Sequence, residues 1–218
     1  MIRKGEEWGT PADGASADLE VAGDDTALAV ALVGAGADPL VRFVPSPASD
    51  LARAVGLPGG GPGTMAVPVD LLRLDDGGVA VNAVVVGVPP DRLRWWHRPF
   101  AVEVVVDGTA FSARGTTVVV ATGQFLRGFD VSPRGHPGDG WCEVQVYAVP
   151  PGQRRPMRSR LRSGSHLPHP GITTRRGRSV EVRCGRAVDV EVDGKKAAAK
   201  RIRSVSVELV PAGFRLLI

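Results

Sequence analysis

Aromatic residues are scarce: Phe, Trp and Tyr make up 5% of the 218 residues, with a single Tyr. Any core must then be filled by Val, Leu and Ala. Cysteine is nearly missing. Cys142 and Cys184 stand far apart, outside the spacing of metal or redox motifs, and read as small buried apolar residues. No apolar run reaches the roughly 18–20 residues that a membrane-crossing helix needs. Met1–Trp8 lacks the apolar segment of a secretory signal. These absences point to a reducing, cytoplasmic setting. No internal repeat is present. Acidic residues vanish from Pro150–Arg178, where Arg154, Arg155, Arg158, Arg160, Arg162, Arg175, Arg176 and Arg178 gather. His166 and His169 lie there too, but without a third ligand they read as loop residues.

What is present suffices for a folded protein. A hydrophobic content of 43% supports a core, which excludes global disorder. Lys and Arg number 27 against 23 acidic residues, a formal charge of +4, and this mild excess favours an anionic partner. Nucleic acid is not expected, because no aromatic platform is interleaved with the arginines.

The stretch Val118–Tyr147 organises the rest. Val118–Ala121 is an apolar β-branched run, read as a buried strand. Ser132–Gly140 concentrates Pro, Gly, Asp and Ser in one long turn. Cys142–Tyr147 alternates as a half-buried strand does. Upstream, Met1–Asp18 is polar and rich in turn residues, an irregular arm that Trp8 pins to the body. Leu19–Ala22 predicts a strand, Ala27–Gly34 a helix capped by the Asp or Thr before it, and Leu40–Val44 a second strand. That order marks a parallel β-α-β unit. Ser49 or Asp50 caps a short helix Leu51–Val55, which Gly56 ends. Gly59–Gly63 reads as a linker. Beyond it, Val67–Leu74, Val79–Val86, Phe100–Val106, Ser179–Arg183, Ala187–Val192, Ser204–Leu209 and Phe214–Ile218 read as further strands. Asp75–Gly78, Asp107-Gly108 and Asp193-Gly194 read as hairpin turns. The expected fold class is α/β plus β: an arm over 1–18, a small α/β domain over 19–60 and a larger antiparallel β-sandwich over 64–218.

Several of these segments together resemble the diacylglycerol kinase-like lipid kinases. In that family a strand ends in Asn-Gly, followed by a Gly-rich stretch, a Pro turn and Asp-Gly; here Thr122-Gly123, Gly128-Phe129, Pro133 and Asp139-Gly140 stand at the matching places. The family loop Gly-Gly-Asp-Gly-Thr is matched by Ala22-Gly23-Asp24-Asp25-Thr26. The family Gly-Thr-Ala-Asn-Asp, with its following helix and Gly-Leu-Pro, is matched by Ser46–Arg53 and Gly56-Leu57-Pro58. The likeness covers most of residues 19–218 and implies a nucleotide-binding unit over 19–60 with a lipid-kinase sandwich behind it. The segment between Pro89 and Pro99 is shorter than in related kinases, and the one or two β-α units that precede the first loop in the family are not seen before Gly23. The nucleotide unit is therefore expected to be cut down; a homodimer in which two protomers complete each other would restore it.

The resemblance implies a reaction and a site. A lipid kinase moves the ATP γ-phosphoryl group to a lipid hydroxyl with Mg²⁺. Gly23, Asp24, Asp25 and Thr26 would cradle the phosphates at a helix N-terminus, with Ser49 and Asp50 as the second contact. Asp193, in the place of the family's Asp-Gly-Glu turn, would be the general base, and Asp139 would stand where some relatives hold a structural Mg²⁺. The departures are physical. Ala22 and Asp25 put side chains where bare backbone meets phosphate, Pro47 removes an N–H donor, and Lys195 replaces the turn's Glu with a group that holds its proton at neutral pH. A Mg²⁺ between Asp25 and a phosphate would reverse the repulsion there. Simpler roles compete at each position: helix caps for Asp24, Thr26 and Ser49, and turns for Asp139 and Asp193. Arg154, Arg155, Arg158, Arg160 and Arg162 form an expected anionic-surface contact for a lipid substrate or a membrane met peripherally. Against the kinase stands a non-catalytic binding protein for a lipid, a nucleotide or a protein partner.

Overall fold

The computed structural model describes residues 8–57, 63–196 and 201–218. The linker expected at Gly59–Gly63 lies outside them except for Gly63. Strands β1 (Leu19–Gly23) and β2 (Leu40–Pro45) are parallel, with Val21 opposite Phe43, and helix α1 (Asp25–Leu32) connects them. The expected β-α-β unit is therefore present. Asp24 caps α1 by accepting from the Ala27 N–H at 3.1 Å. Helix α2 (Asp50–Val55) starts at the N-cap Ser49 and stops at Gly56, whose φ of 67° suits glycine.

The strands that follow are β3 (Met65–Leu74), β4 (Ala83–Gly87), β5 (Phe100–Val106), β6 (Thr109–Gly115), β7 (Thr117–Ala121) and β8 (Cys142–Tyr147). After helix α3 (Arg154–Arg160) come β9 (Ile172–Gly177), β10 (Ser179–Val188), β11 (Val190–Val192) and β12 (Ile202–Leu217). They build two sheets. One runs β3-β12-β10-β5-β6, with β1 and β2 added through β12; the other runs β9-β8-β7-β4-β11. Between them lies a valine core that includes Leu72, Val84, Val104, Val120, Val144, Val182 and Val207. The fold is thus a β-sandwich with a small α/β unit. The shortage of aromatics is met as expected, by β-branched residues that pack on a pleated surface.

Strand β12 is the seam. It pairs antiparallel with β3 over Val207–Leu217 and parallel with β2 at Arg215–Leu217, so one strand belongs to the sandwich and to the α/β unit. The sequence pattern divides it in two at Pro211-Ala212-Gly213. The chain instead absorbs those residues as a bulge between Val210 and Phe214, with Ala212 at φ 48°. Asp70 holds the bulge, accepting from the Ala212 N–H at 3.0 Å and from the Gly140 N–H at 2.7 Å. Past the bulge, Phe214 and Leu216 pack with Leu28 and Leu51 from α1 and α2 in a second core.

Other expectations change for local reasons. Val79–Val86 is not one strand. Val79-Ala80 pairs with β3, the chain crosses at Val81-Asn82, and β4 belongs to the opposite sheet. Thr109–Gly115 is a strand the pattern did not announce; its outward face is polar, and it returns along β5 through Asp107-Gly108 at φ 46° and 81°, a two-residue turn of positive φ. Pro150–Arg178, for which the pattern gave no element, carries α3 and β9. Trp8 does tie the arm down: its Nε1 donates to the Pro68 carbonyl at 3.2 Å, and its ring meets His136 edge-on at 4.8 Å.

If β12 joins the two units through Phe214, then Phe214→Ala should cost about 3–5 kcal/mol. Urea unfolding should show one transition shifted to lower urea. Loss of helical signal with the sandwich transition unmoved would mean that the seam is not shared.

Candidate functional site

Five loops meet where the α/β unit abuts the sandwich: Gly23–Thr26, Ser49-Asp50, the Val81–Ala83 crossing, the Gly123–Gly128 turn and the Asp193-Gly194 hairpin. Their sequences explain the meeting. Gly23 sits at φ 138°, and a Cβ there would come within 2.9 Å of the Ala27 side chain, so the turn from β1 into α1 needs glycine. Asp193 and Gly194 take φ 49° and 77°, an Asp-Gly hairpin turn as expected. Asn82 is the only polar residue in the run Val79–Val86 and stands where the run changes sheets.

Hydrogen bonds bind these loops into one network. Asp25 is buried and turns away from its own loop. Its carboxylate accepts from the Ser49 hydroxyl at 2.5 Å and from the Asp50 and Leu51 N–H groups at 3.0 and 3.1 Å. Asp50 accepts in turn from the Arg127 N–H and, at 2.7 Å, from the Gly128 N–H. Asp193 accepts from the N–H groups of Val81, Asn82 and Ala83 at 2.9–3.0 Å. The Thr26 hydroxyl reaches the Asp193 carbonyl at 3.5 Å, and Lys195 pairs with Asp24 at 2.6 Å. Gly23, Asp24, Asp25, Thr26, Ser49, Asp50 and Asp193 are therefore brought together.

The electrostatics follow from burial. Desolvation pushes the Asp25 carboxyl up to about 6, against the Ser49 hydroxyl and the Leu51 N–H that favour its charge. Desolvation likewise raises Asp193 to about 7; its three N–H donors oppose the shift and the Asp25 charge adds to it. Burial also raises Asp50. Asp24 moves the other way, because the Lys195 ammonium beside it stabilises the carboxylate.

Residues that sequence reasoning missed complete the site. Arg127, at φ 49°, is held by Asp91 on one side and Glu191, at 2.5 Å, on the other. Arg92 adds a second bond to Glu191 at 3.1 Å. Asn82 donates to the Phe125 carbonyl at 2.8 Å, and its buried Oδ1 has no partner among the described residues. That oxygen would lie 2.3 Å from a Cβ at Gly123, so the residue after Thr122 has to be glycine. The signals were available but faint: a lone amide in an apolar run, and an arginine before Gly128 in a turn.

The site's fit to ATP can be tested on its donors. A polyphosphate is held by backbone N–H groups at loop and helix termini. Here the N–H groups of Asp50 and Leu51 serve Asp25, those of Arg127 and Gly128 serve Asp50, and that of Ala27 serves Asp24. A phosphate would have to displace these carboxylates and then lie beside them; each close pair of like charges costs roughly 1–4 kcal/mol at effective dielectrics of 80 to 20. The nearby cations Arg127 and Lys195 are already paired, whereas Arg53, exposed over the Phe125 ring at 5.6 Å, has no ion pair among the described residues. Among the described residues no group of three or more His, Cys, Asp or Glu could hold a metal ion. A polyphosphate therefore finds these backbone donors occupied by the chain's own carboxylates.

The remaining expected site residues lie elsewhere. Asp139 accepts from the Trp141 N–H at 3.0 Å and pairs with Arg176. Arg155, Arg160 and Arg162 are exposed and Arg158 is half-buried. Arg154 corrects the surface reading given to it. It is 3% exposed, because its guanidinium turns inward to backbone carbonyls rather than out to solvent.

Residues 91–218 match the family model of the YegS C-terminal NAD kinase beta sandwich-like domain. A diacylglycerol kinase from Bacillus anthracis str. Sterne is similar in structure, with a TM-score of 0.70 at 18% identity, over 92% of this chain and 76% of that one. An NAD kinase from Archaeoglobus fulgidus, solved in complex with ATP, gives 0.53 at 14% identity over 92% and 78%. Yeast NADH kinase complexed with NADH gives 0.53 at 13% over 92% and 61%. At these identities the likeness is one of fold. No curated protein matches the chain.

Asp193 generates a pH test. A carboxyl whose folded pKa stands above its unfolded value binds its proton more tightly when folded, so stability falls as pH rises between the two values. For Asp193 that window runs from 3.8 to about 7. His166, held down from 6.5 to about 4 by burial, acts in the opposite direction over most of that window, so the informative quantity is a difference. Relative to Asp193→Asn, the wild type should lose stability from pH 4 to 7 and run parallel above, by urea midpoints across that range. A constant difference would show that Asp193 is ionised throughout.

Proposed function

This chain belongs to the family of the YegS C-terminal NAD kinase beta sandwich-like domain, and we propose that it is a degenerate lipid-kinase homologue that binds its ligand without phosphoryl transfer. One observation carries the reading. The Asp25 carboxylate fills the donors at the start of α2, where a nucleotide phosphate would be held in a working kinase. The side chains of Asp50 and Asp193 do the same at the neighbouring turns. Proteins can keep a fold and lose the chemistry grafted on it.

The ligand in this reading is a lipid with a polar head. A cavity of about 620 Å³ opens beside the Ser132–Gly135 turn, lined by Leu167, Pro168 and Ile172 and by Arg134, Gln145 and Thr174. Apolar walls with a few polar groups suit an acyl chain joined to a hydrogen-bonding head. ATP and Mg²⁺ are not cofactors of the protein in this form.

One observation favours the kinase as a second reading. Asp193 titrates near 7, the range in which a general base works at neutral pH. It would accept the proton of a lipid hydroxyl while ATP supplied the γ-phosphoryl group.

The two readings part in one assay. With Mg·ATP and diacylglycerol in detergent, the wild type should form no phospholipid product, and its melting temperature should not rise with Mg·ATP. Replacing Ala22 and Asp25 together by glycine should free the α2 donors and create a melting shift with Mg·ATP or pyrophosphate. Wild-type turnover that is lost in Asp193→Ala would establish the kinase instead.

A further inference from the structure

Two of the chain's few aromatic residues are left in water. Trp95 is 70% exposed and Trp96 56%, with their rings edge-to-face at 5.5 Å. Surface indoles are unusual without a partner, and here the loop that carries them is held rigidly. The Arg94 N–H donates to His97 Nδ1 at 2.8 Å. From below, buried Arg154 donates to the carbonyls of Arg94, Trp95 and His97 at 2.7–3.2 Å through Nη1 and to that of Val149 at 2.9 Å through Nε.

Arg154 is also a buried cation with no carboxylate partner among the described residues. A buried charge is normally matched by an opposite one. Arg154 lines a cavity of about 300 Å³ whose rim carries Trp95 and Trp96 and whose other charged wall residues are Arg98 and Arg114, with no acidic residue in the lining. Arg94 and Arg98 flank the indoles in sequence and are exposed.

We propose that this Trp95–Trp96 loop, with Arg98, Arg114 and the cavity over Arg154, docks the protein on an anionic phospholipid bilayer. The indoles enter the headgroup region, where an amphipathic ring gains most. The arginines meet lipid phosphates, and a phosphate that enters the cavity gives Arg154 the counter-charge it lacks. The proposal stands whether or not the site at Asp25 admits a nucleotide. It moves the membrane contact from the exposed arginines of α3 to the loop that Arg154 supports. Charge chooses the occupant. A second copy of this chain, docked about a two-fold axis, would set Arg98 and Arg114 against themselves. Single-stranded nucleic acid wants parallel stacking faces, and these two rings stand at 89°.

The test is co-sedimentation of the full chain with vesicles of phosphatidylcholine alone and of phosphatidylcholine mixed with phosphatidylglycerol. Binding should require phosphatidylglycerol. Trp95→Ala with Trp96→Ala, and separately Arg98→Ser with Arg114→Ser, should each weaken it by about tenfold or more, with melting temperatures unchanged because these side chains are exposed. The arginine variant should also lose the salt dependence of binding. The proposal is overturned if the wild type ignores phosphatidylglycerol, if both variants bind as the wild type does, if single-stranded RNA abolishes vesicle binding by occupying the same tryptophans, or if the tryptophan variant's effect is the loss of a dimer in solution.

Discussion

A carboxylate taken out of water must be solvated by something else, and at the junction of this protein backbone N–H groups do it. Asp25 is solvated by the start of α2, Asp50 by the Arg127-Gly128 turn and Asp193 by the crossing from one sheet to the other. Asp70 does the same for the bulge in β12. Each carboxylate belongs to one chain segment and its donors to another, so each acts as a fixed tie between segments distant in sequence. Removing one side chain would leave two or three donors unsatisfied, which costs more than the bonds themselves contribute.

The same donors bear on what the site can hold. Backbone donors at helix starts and tight turns are the groups that bind phosphates, and a donor serves one acceptor well. Here those donors serve the chain's own carboxylates. Arg127 shows the complementary case: its guanidinium is enclosed by Asp91 and Glu191 and has no charge left to offer. At the junction Arg127 and Lys195 are matched by carboxylates, whereas at the face above Arg154 the buried guanidinium is not. There a cation is buried against carbonyls alone, and the imbalance points outward.

The core makes these arrangements possible at low cost. With so few aromatic residues, the sandwich is filled by valines from both sheets, whose branched side chains lose little freedom in strands. Tyr147, like Phe100 in the valine core, is an exception. It is fully buried on the outer face of the second sheet with Met157 and Leu161, and its hydroxyl donates to Gln145 at 2.7 Å. That contact is why the arginine-rich segment folds back as a helix instead of running free: the apolar residues between its arginines cover the sheet, and Arg154 is carried inward with them.

Much of the fold was legible in the chain. The β-α-β unit, the caps at Asp24 and Ser49, the hairpin turns and most strands follow from local rules that tertiary contacts did not override. Two places where local pattern and fold disagree share a cause. Pro211–Gly213 reads as a turn and Val79–Val86 as a strand until Asp70 and Asp193, distant in sequence, supply the bonds that make a bulge of the first and a crossing of the second. The site was legible as a set of residues, since Gly23–Thr26, Ser49, Asp50 and Asp193 do converge. Their roles were not. Residue type alone determined that acids and turns would stand at these positions; only the tertiary structure decided that the acids point at backbone donors rather than at a ligand, because a carboxylate's direction is set by whichever N–H groups the rest of the chain brings within reach.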